Sequence, residues 1–267
     1  MVFPKRFLFD IGTNLTDNAF SADRESVVEA ALQAGIKKML VIGTDLSESH
    51  QAIALCETYP EQLIATAGCH PHYAKSIEVH ALKEALISLL KHSCVRAIGE
   101  CGLDFNRNFS PQAQQIRIFE AQLEIAKTTN YPVYLHERDA SDTMLSLFTP
   151  YVEALPPSVL HCFTGNQSVL KKYLDLGLYI GITGWICDER RGQELQSIVK
   201  YIPKDRILIE TDAPYLLPRT IRPKPKSRRN EPSFLPYILQ KLSQCMEISE
   251  DELAQHCYNN ARDVFSF

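Results

Sequence analysis

Six polar side chains interrupt apolar, β-branched runs in this sequence: Asp10, His70, Glu100, His136, His161 and Asp212. Each falls near the C-terminal end of its run. Carboxylates and imidazoles are costly to bury unpaired. If the runs assemble side by side, these groups converge, and a metal cation is the natural compensating partner. Two histidines and one carboxylate, His136, His161 and Glu100, leave coordination positions open for water and substrate. A cation held in that way lowers the pKa of its water and polarises a substrate oxygen. The chemistry indicated is hydrolysis. One such histidine alone is more often a hydrogen-bonded core residue. Three groups at the same end of three successive runs favour the metal.

Asp212 ends the segment ILIETDAP, two positions beyond Glu210. It can ligate the ion or take a proton from the attacking water, so Asp212 and Glu100 are the expected catalytic pair. Glu210 is expected one layer deeper, orienting a ligand. The segment AGCHPH places His70 and His72 where they can shape the pocket or hold a phosphate.

The elements that must position these groups follow from periodicity. Strand patterns cover 7–12, 38–44, 63–70, 95–102, 132–138, 158–165, 178–184 and 207–214. Helical patterns lie near 21–34, 47–59, 79–92, 112–129, 139–149, 167–176, 192–200, 233–245 and 249–264. Within 112–129, Ile116, Phe119, Leu123 and Ala126 recur at three- and four-residue steps. Ser110, Ser47, Asp139 and Ser249 are expected to cap helices. Eight strands, each followed by a helix, predict an α/β protein of the (β/α)₈-barrel class, in which the strand C-termini carry the active site. The whole chain, 1–267, reads as one domain. Alternation then sends Cys101, Cys162 and Thr211 toward the helices if Glu100, His161 and Asp212 face inward.

The chain has 267 residues and a net charge of −4, which excludes a globally basic nucleic-acid binder. The apolar stretch after Lys5 and Arg6 ends at Asp10, too short for a signal peptide. No run approaches a membrane helix. Eight scattered cysteines without a C-x-x-C pair suit reduced thiols and a cytoplasmic location. Positive charge is concentrated in one loop, 218–232, where Arg219, Arg222, Lys224, Lys226, Arg228 and Arg229 face a single acid, Glu231. With Arg107, Arg138, Arg190 and Arg191 after other strands, this rim suits a polyanion. Phe105, Phe163 and Trp185 are placed to stack on bases.

The blocks AGCHPH, AIGECGLDF, PVYLHERDA, VLHCFTG, IGITGW, LIETDAPYLLP and SRRNEP, in this order along nearly the whole chain, resemble the TatD family of metal-dependent deoxyribonucleases. The resemblance implies a TIM barrel of the amidohydrolase-like, metal-dependent hydrolase type. It implies a monomeric, cytoplasmic, Mg²⁺-dependent nuclease. The expected activity is 3′–5′ exonucleolytic cleavage of single-stranded DNA and RNA, with a role in DNA repair. The family's carboxylate ligand falls on Glu100, its strand-end histidines on His136 and His161, and its strand-8 aspartate on Asp212. His70, His72, Arg229 and Asn230 are expected to hold phosphate. One departure stands out. Most members carry D-x-H-x-H on strand 1, whereas this chain has Asp10-Ile11-Gly12-Thr13-Asn14. Glycine has no side-chain ligand, so one tightly held ion is expected. Imidazole ligands suit Mn²⁺ at least as well as Mg²⁺, so Mn²⁺ should substitute.

Other readings stay open on residues alone. A small-molecule amidohydrolase or phosphoesterase uses the same barrel, although such enzymes usually bridge two metals with the strand-1 histidines. A non-catalytic binding module and a non-haem iron oxygenase also fit parts of the pattern.

Overall fold

The computed structural model describes residues 6–267; Met1–Lys5, the start of the stretch read for a targeting signal, lie outside the described residues. Eight parallel strands form one sheet in chain order: β1 (Leu8–Thr13), β2 (Ile36–Val41), β3 (Leu63–Ala67), β4 (Val95–Asp104), β5 (Val133–Arg138), β6 (Val159–Leu160), β7 (Tyr179–Ile182) and β8 (Ile207–Ile209). β1 and β8 approach through a parallel bridge between Thr13 and Ala213 and a bond from Asp212 N–H to Gly12 O at 2.8 Å. The architecture is a TIM barrel. Among the described residues no helix is long and apolar enough to cross a membrane.

The helices are α1 (Arg24–Gln33), α2 (Leu46–Thr58), α3 (Val79–Leu89), α4 (Gln112–Thr129), α5 (Ser141–Phe148), α6 (Gln167–Asp175), α7 (Gln193–Ile198), α8 (Leu235–Met246) and α9 (Glu250–Phe265). Ser249 caps α9 as expected, accepting from Glu252 N–H. Three other expected caps are corrected. Asp45, not Ser47, accepts the Glu48 N–H at the start of α2. Ser110 instead joins two loops, donating to His72 O and accepting from Lys75 N–H, and Pro111 takes the cap position of α4. Glu137, not Asp139, accepts the Ala140 N–H ahead of α5.

Alternation along the strands sorts the core into two layers. Phe9, Ile11, Leu40, Ile42, Ile64, Tyr134, Val159 and Leu208 fill the barrel interior. Met39, Val41, Leu63, Val133, Leu135, Leu160, Ile207 and Ile209 pack against the helices. The last helix closes the barrel floor: Val264 and Phe265 join the interior cluster, and the Phe9 and Phe267 rings meet edge-on at 4.8 Å. The floor is therefore apolar and shut, and polar chemistry is confined to the strand C-termini. Several strands end earlier than their sequence patterns. β6 keeps two residues and β8 three, because the polar segments that follow turn to bind each other.

Candidate active site

Glu100 reaches the barrel mouth through an irregularity in β4. Ala97 faces the interior and Ile98 the helices, so strict alternation would turn Glu100 outward. The pairing register with β5 shifts between Ile98 and Cys101, and that shift reverses the phase. Gly99 makes it possible. Its φ is +145°, and a Cβ there would lie 2.3 Å from Tyr134 O. Cys101 is left in the helix-facing core, as alternation predicted.

On β5 and after β6, the phase set by Tyr134 and Val159 carries His136 and His161 inward. His136 Nδ1 and His161 Nε2 each lie 2.8 Å from Glu100 Oε1, and His70 Nε2 lies 3.4 Å away. Three imidazoles thus surround one carboxylate oxygen. The other nitrogen of each of these two histidines is buried and faces a second carboxylate without closing a hydrogen bond to it. His136 Nε2 faces Asp104 Oδ2 at 3.5 Å, and His161 Nδ1 faces Glu210 Oε2 at 3.4 Å. A carboxylate behind the far ring nitrogen is the usual way to fix the tautomer of a metal-binding histidine.

His70 differs. Its Nδ1 accepts the His72 backbone N–H at 3.0 Å, which leaves the proton on Nε2. Burial pushes its pKa down to about 4, keeping the ring neutral. A neutral Nε2–H is a hydrogen-bond donor, not a ligand atom. Thus His70, Glu100 and His136 are close enough to hold an ion, but the tautomer favours His161 over His70 as the third ligand.

Burial opposes ionisation of Glu100, yet the imidazoles of His161, His70 and His136 hold its carboxyl well below the ordinary range. Burial likewise opposes a charge on His161, and Glu100 with Glu210 overcomes it. The centre is therefore a buried anion matched by nearby cationic groups, which is the charge balance a divalent ion would replace. The donor set of one carboxylate and two carboxylate-backed imidazoles fits a divalent metal.

Glu210 sits beneath. Its carboxylate accepts the Tyr134 hydroxyl and the Cys162 backbone N–H, both at 2.6 Å. Asp212 follows in a left-handed conformation, φ +56°, rather than one strand step further on. It still lines the cavity, where Asn14 Nδ2–H donates to Asp212 Oδ1 at 3.1 Å. Burial, with Glu100 and Glu210 adding to it and His161 opposing, pushes its carboxyl up to about 7.

Two alternation forecasts fail here. Cys162 adopts φ +48° and lines the cavity instead of facing helices. Thr211 turns to Asp10: its N–H donates to Asp10 Oδ1 at 2.8 Å, and its hydroxyl lies 2.5 Å from Oδ2. Asp10 is fully buried in that pair and does not line the cavity, so it leaves the converging group.

The cavity over these residues has a volume of about 610 Å³. His70 and His72 both line it, and His72 Nε2 lies 2.8 Å from Asp104 Oδ2. Arg229 and Asn230 do not line it. The Arg229 guanidinium is held by Asp23 at 2.7 and 2.8 Å and by Glu231 at 2.8 Å. Asn230 is buried, donating to Thr211 O at 2.9 Å and accepting from Glu231 N–H. Both fasten the loop after β8. Of the expected basic rim, Arg107, Arg138 and Arg191 reach the cavity and Arg190 does not. Of the expected aromatics, Trp185 lines it, whereas Phe163 is buried and Phe105 packs on the core.

The sequence reading missed Asp104. It supports two histidines from the last position of β4, and its signal was the polar-at-strand-end pattern two residues beyond the assumed end. Burial raises its carboxyl, but His136, His72 and the Arg107 N–H outweigh that and hold it far below the usual range. Tyr73, Phe109 and Tyr215 were missed as well. They are exposed aromatics at the mouth, and no periodicity marks a loop residue as such.

Comparison with known proteins gives the family and the fold. The family model described as TatD related DNase matches residues 9–266. The 3′-5′ ssDNA/RNA exonuclease TatD of Pectobacterium atrosepticum is 51% identical over 258 residues, which cover 97% of this chain and 99% of that protein. Its namesake in Salmonella typhimurium is 49% identical, over 97% of this chain and 98% of that one. A solved TatD homologue from Escherichia coli superposes with a TM-score of 0.88 at 28% identity, covering 100% of both chains. A Saccharomyces cerevisiae amidohydrolase shares the fold, with a TM-score of 0.85 at 24% identity over 97% of this chain and 100% of that one. The barrel, the Glu100 centre and these relatives lead to one assignment: the chain belongs to the TatD family of DNases.

Proposed function

We propose that this chain is a metal-dependent 3′–5′ exonuclease acting on single-stranded DNA and RNA. The observation that carries the reading is the convergence of His136 and His161, each 2.8 Å from Glu100 Oε1, with a second carboxylate 3.5 and 3.4 Å from their far nitrogens. The names of relatives about half identical over nearly the full chain support the substrate and the polarity.

In this reading Glu100, His136 and His161 hold one ion, Mg²⁺ with Mn²⁺ as a substitute. The ion supplies Lewis-acid activation of water and of a phosphoryl oxygen. The chain does the rest. Asp212, with its carboxyl near neutrality, accepts the proton of the attacking water. His70 Nε2–H donates toward the phosphate beside Glu100, and His72, steadied by Asp104, flanks it. Arg107 and Arg138 add positive potential at the rim. Arg229 and Asn230 drop out of the phosphate-binding set, because their polar atoms are engaged elsewhere. The reading extends, on the family resemblance alone, to a one-domain cytoplasmic monomer with a role in DNA repair.

The test is direct. Chelator-stripped protein is reloaded with Mg²⁺ or Mn²⁺ and given strands labelled at the 5′ end, single or duplex. A ladder shortening from the 3′ end of the single strand with either ion is expected. No cleavage, or endonucleolytic fragments only, overturns the reading.

A further inference from the structure

The cavity over Glu100 does not end at its own rim. Trp185, Arg191 and Leu216 line it, and the same three residues line a second, open groove of about 800 Å³. That groove runs between the turn at 184–191 and the loop at 216–228.

Cations outnumber acids along the groove, whose exposed acid is Glu189. Arg222, Lys224, Lys226 and Arg228 are exposed along it. Its buried acid, Asp188, is already matched by Arg219 and Arg191, whose Nε atoms lie 3.1 Å from Oδ2. The β1 and β2 side of the catalytic cavity has the reverse sign. Asp17 and Glu48 line it, and hydroxyls face them: Tyr215 OH lies 3.1 Å from Asp17, and the Thr44 hydroxyl bonds Glu48. A polyanion in the cavity is repelled by Asp17 and Glu48 and attracted by Arg107, Arg138 and the basic groove.

The junction is also built for a nucleotide. The Arg191 guanidinium stacks over Trp185, 4.3 Å from the ring centroid, joining a flat face to a cation. Pro218, Pro223 and Pro225 restrict the basic loop, so less conformational freedom is lost when a strand is bound.

We propose that this groove is a backbone site for the uncleaved, 5′-side portion of a single strand. Phosphates lie along Arg222, Lys224, Lys226 and Arg228, and the strand turns into the catalytic cavity past Trp185 and Arg191. The proposal rests on the exonuclease reading for its polarity, not for its charge.

The test compares wild type with a Lys224→Ala/Lys226→Ala/Arg228→Ala variant. Anisotropy of a labelled single strand of about twelve nucleotides measures binding against salt. Each single-strand phosphate contact contributes roughly 0.7 to the slope of log affinity on log salt, so three lost contacts flatten it by about 2. The second readout is length preference, the ratio of kcat/KM for that strand to kcat/KM for a dinucleotide. It should fall on the order of tenfold. If the triple variant melts early, Lys226→Ala alone should flatten the slope by about 0.7. An unchanged slope and an unchanged length preference overturn the groove while leaving the nuclease intact. Binding with the expected slope change but no cleavage keeps the groove and retires the nuclease reading.

Discussion

Gly12 and Glu210 are fitted to each other: a Cβ on Gly12 would lie 2.3 Å from Glu210 Oε2. Gly181 makes the same allowance from β7, where a Cβ would lie 2.6 Å from Oε1. The strand-1 position where the family resemblance implies a histidine is thus space that the Glu210 carboxylate needs. Glu210 in turn steadies Tyr134, Cys162 and His161. The missing strand-1 ligand and the buried glutamate are one structural arrangement.

Gly12→Ala should therefore displace Glu210. Overpacking of this kind costs about 1–3 kcal/mol. A lower thermal midpoint together with weaker metal binding is expected. A variant with wild-type melting and wild-type metal affinity would show that Glu210 has other room.

Asp104 is predicted to act through His136 and His72. Supporting carboxylates of this type are worth roughly 10–100-fold in metal affinity or activity. Asp104→Asn should lose activity within that range while the fold, read by circular dichroism, is kept. Full activity in Asp104→Asn would remove it from the site.

The Asp10–Thr211 pair predicts a pH dependence of stability. Burial pushes the Asp10 carboxyl up to about 8 from an ordinary 3.8. A folded-state pKa above the unfolded one gives a contribution that is complete below about 4 and lost as pH rises through about 8. The wild-type melting temperature should fall across that window. Asp10→Asn, which carries no titrating proton, should fall less over the same range. Parallel profiles for the two proteins would contradict a raised Asp10.

Much of this was legible beforehand. Eight strand patterns suffice for the barrel, and polar strand ends mark Glu100, His136, His161 and Asp212 as residues of one mouth, because burial of charge is a strong local signal. What was not legible depends on contacts far apart in sequence or on backbone phase. Arg229 looked like a phosphate ligand by composition, yet it pairs with Asp23, 206 positions away. Glu100 faces inward only because the register of β4 slips at Gly99, which a period of two does not encode. Asp10 and Thr211 traded places with the expected alternation because β8 stops at Ile209 and the next residues turn.

In the proposed chemistry Glu100 holds the ion and Asp212 handles the proton. Calorimetric titration of Mn²⁺ into chelator-stripped wild type, Glu100→Ala and Asp212→Asn, with hydrolysis followed in parallel, tests it most directly. One tightly bound ion is predicted in wild type and in Asp212→Asn, its loss in Glu100→Ala, and loss of hydrolysis in both variants. Wild-type affinity in Glu100→Ala, or near-normal turnover in Asp212→Asn, would contradict these roles.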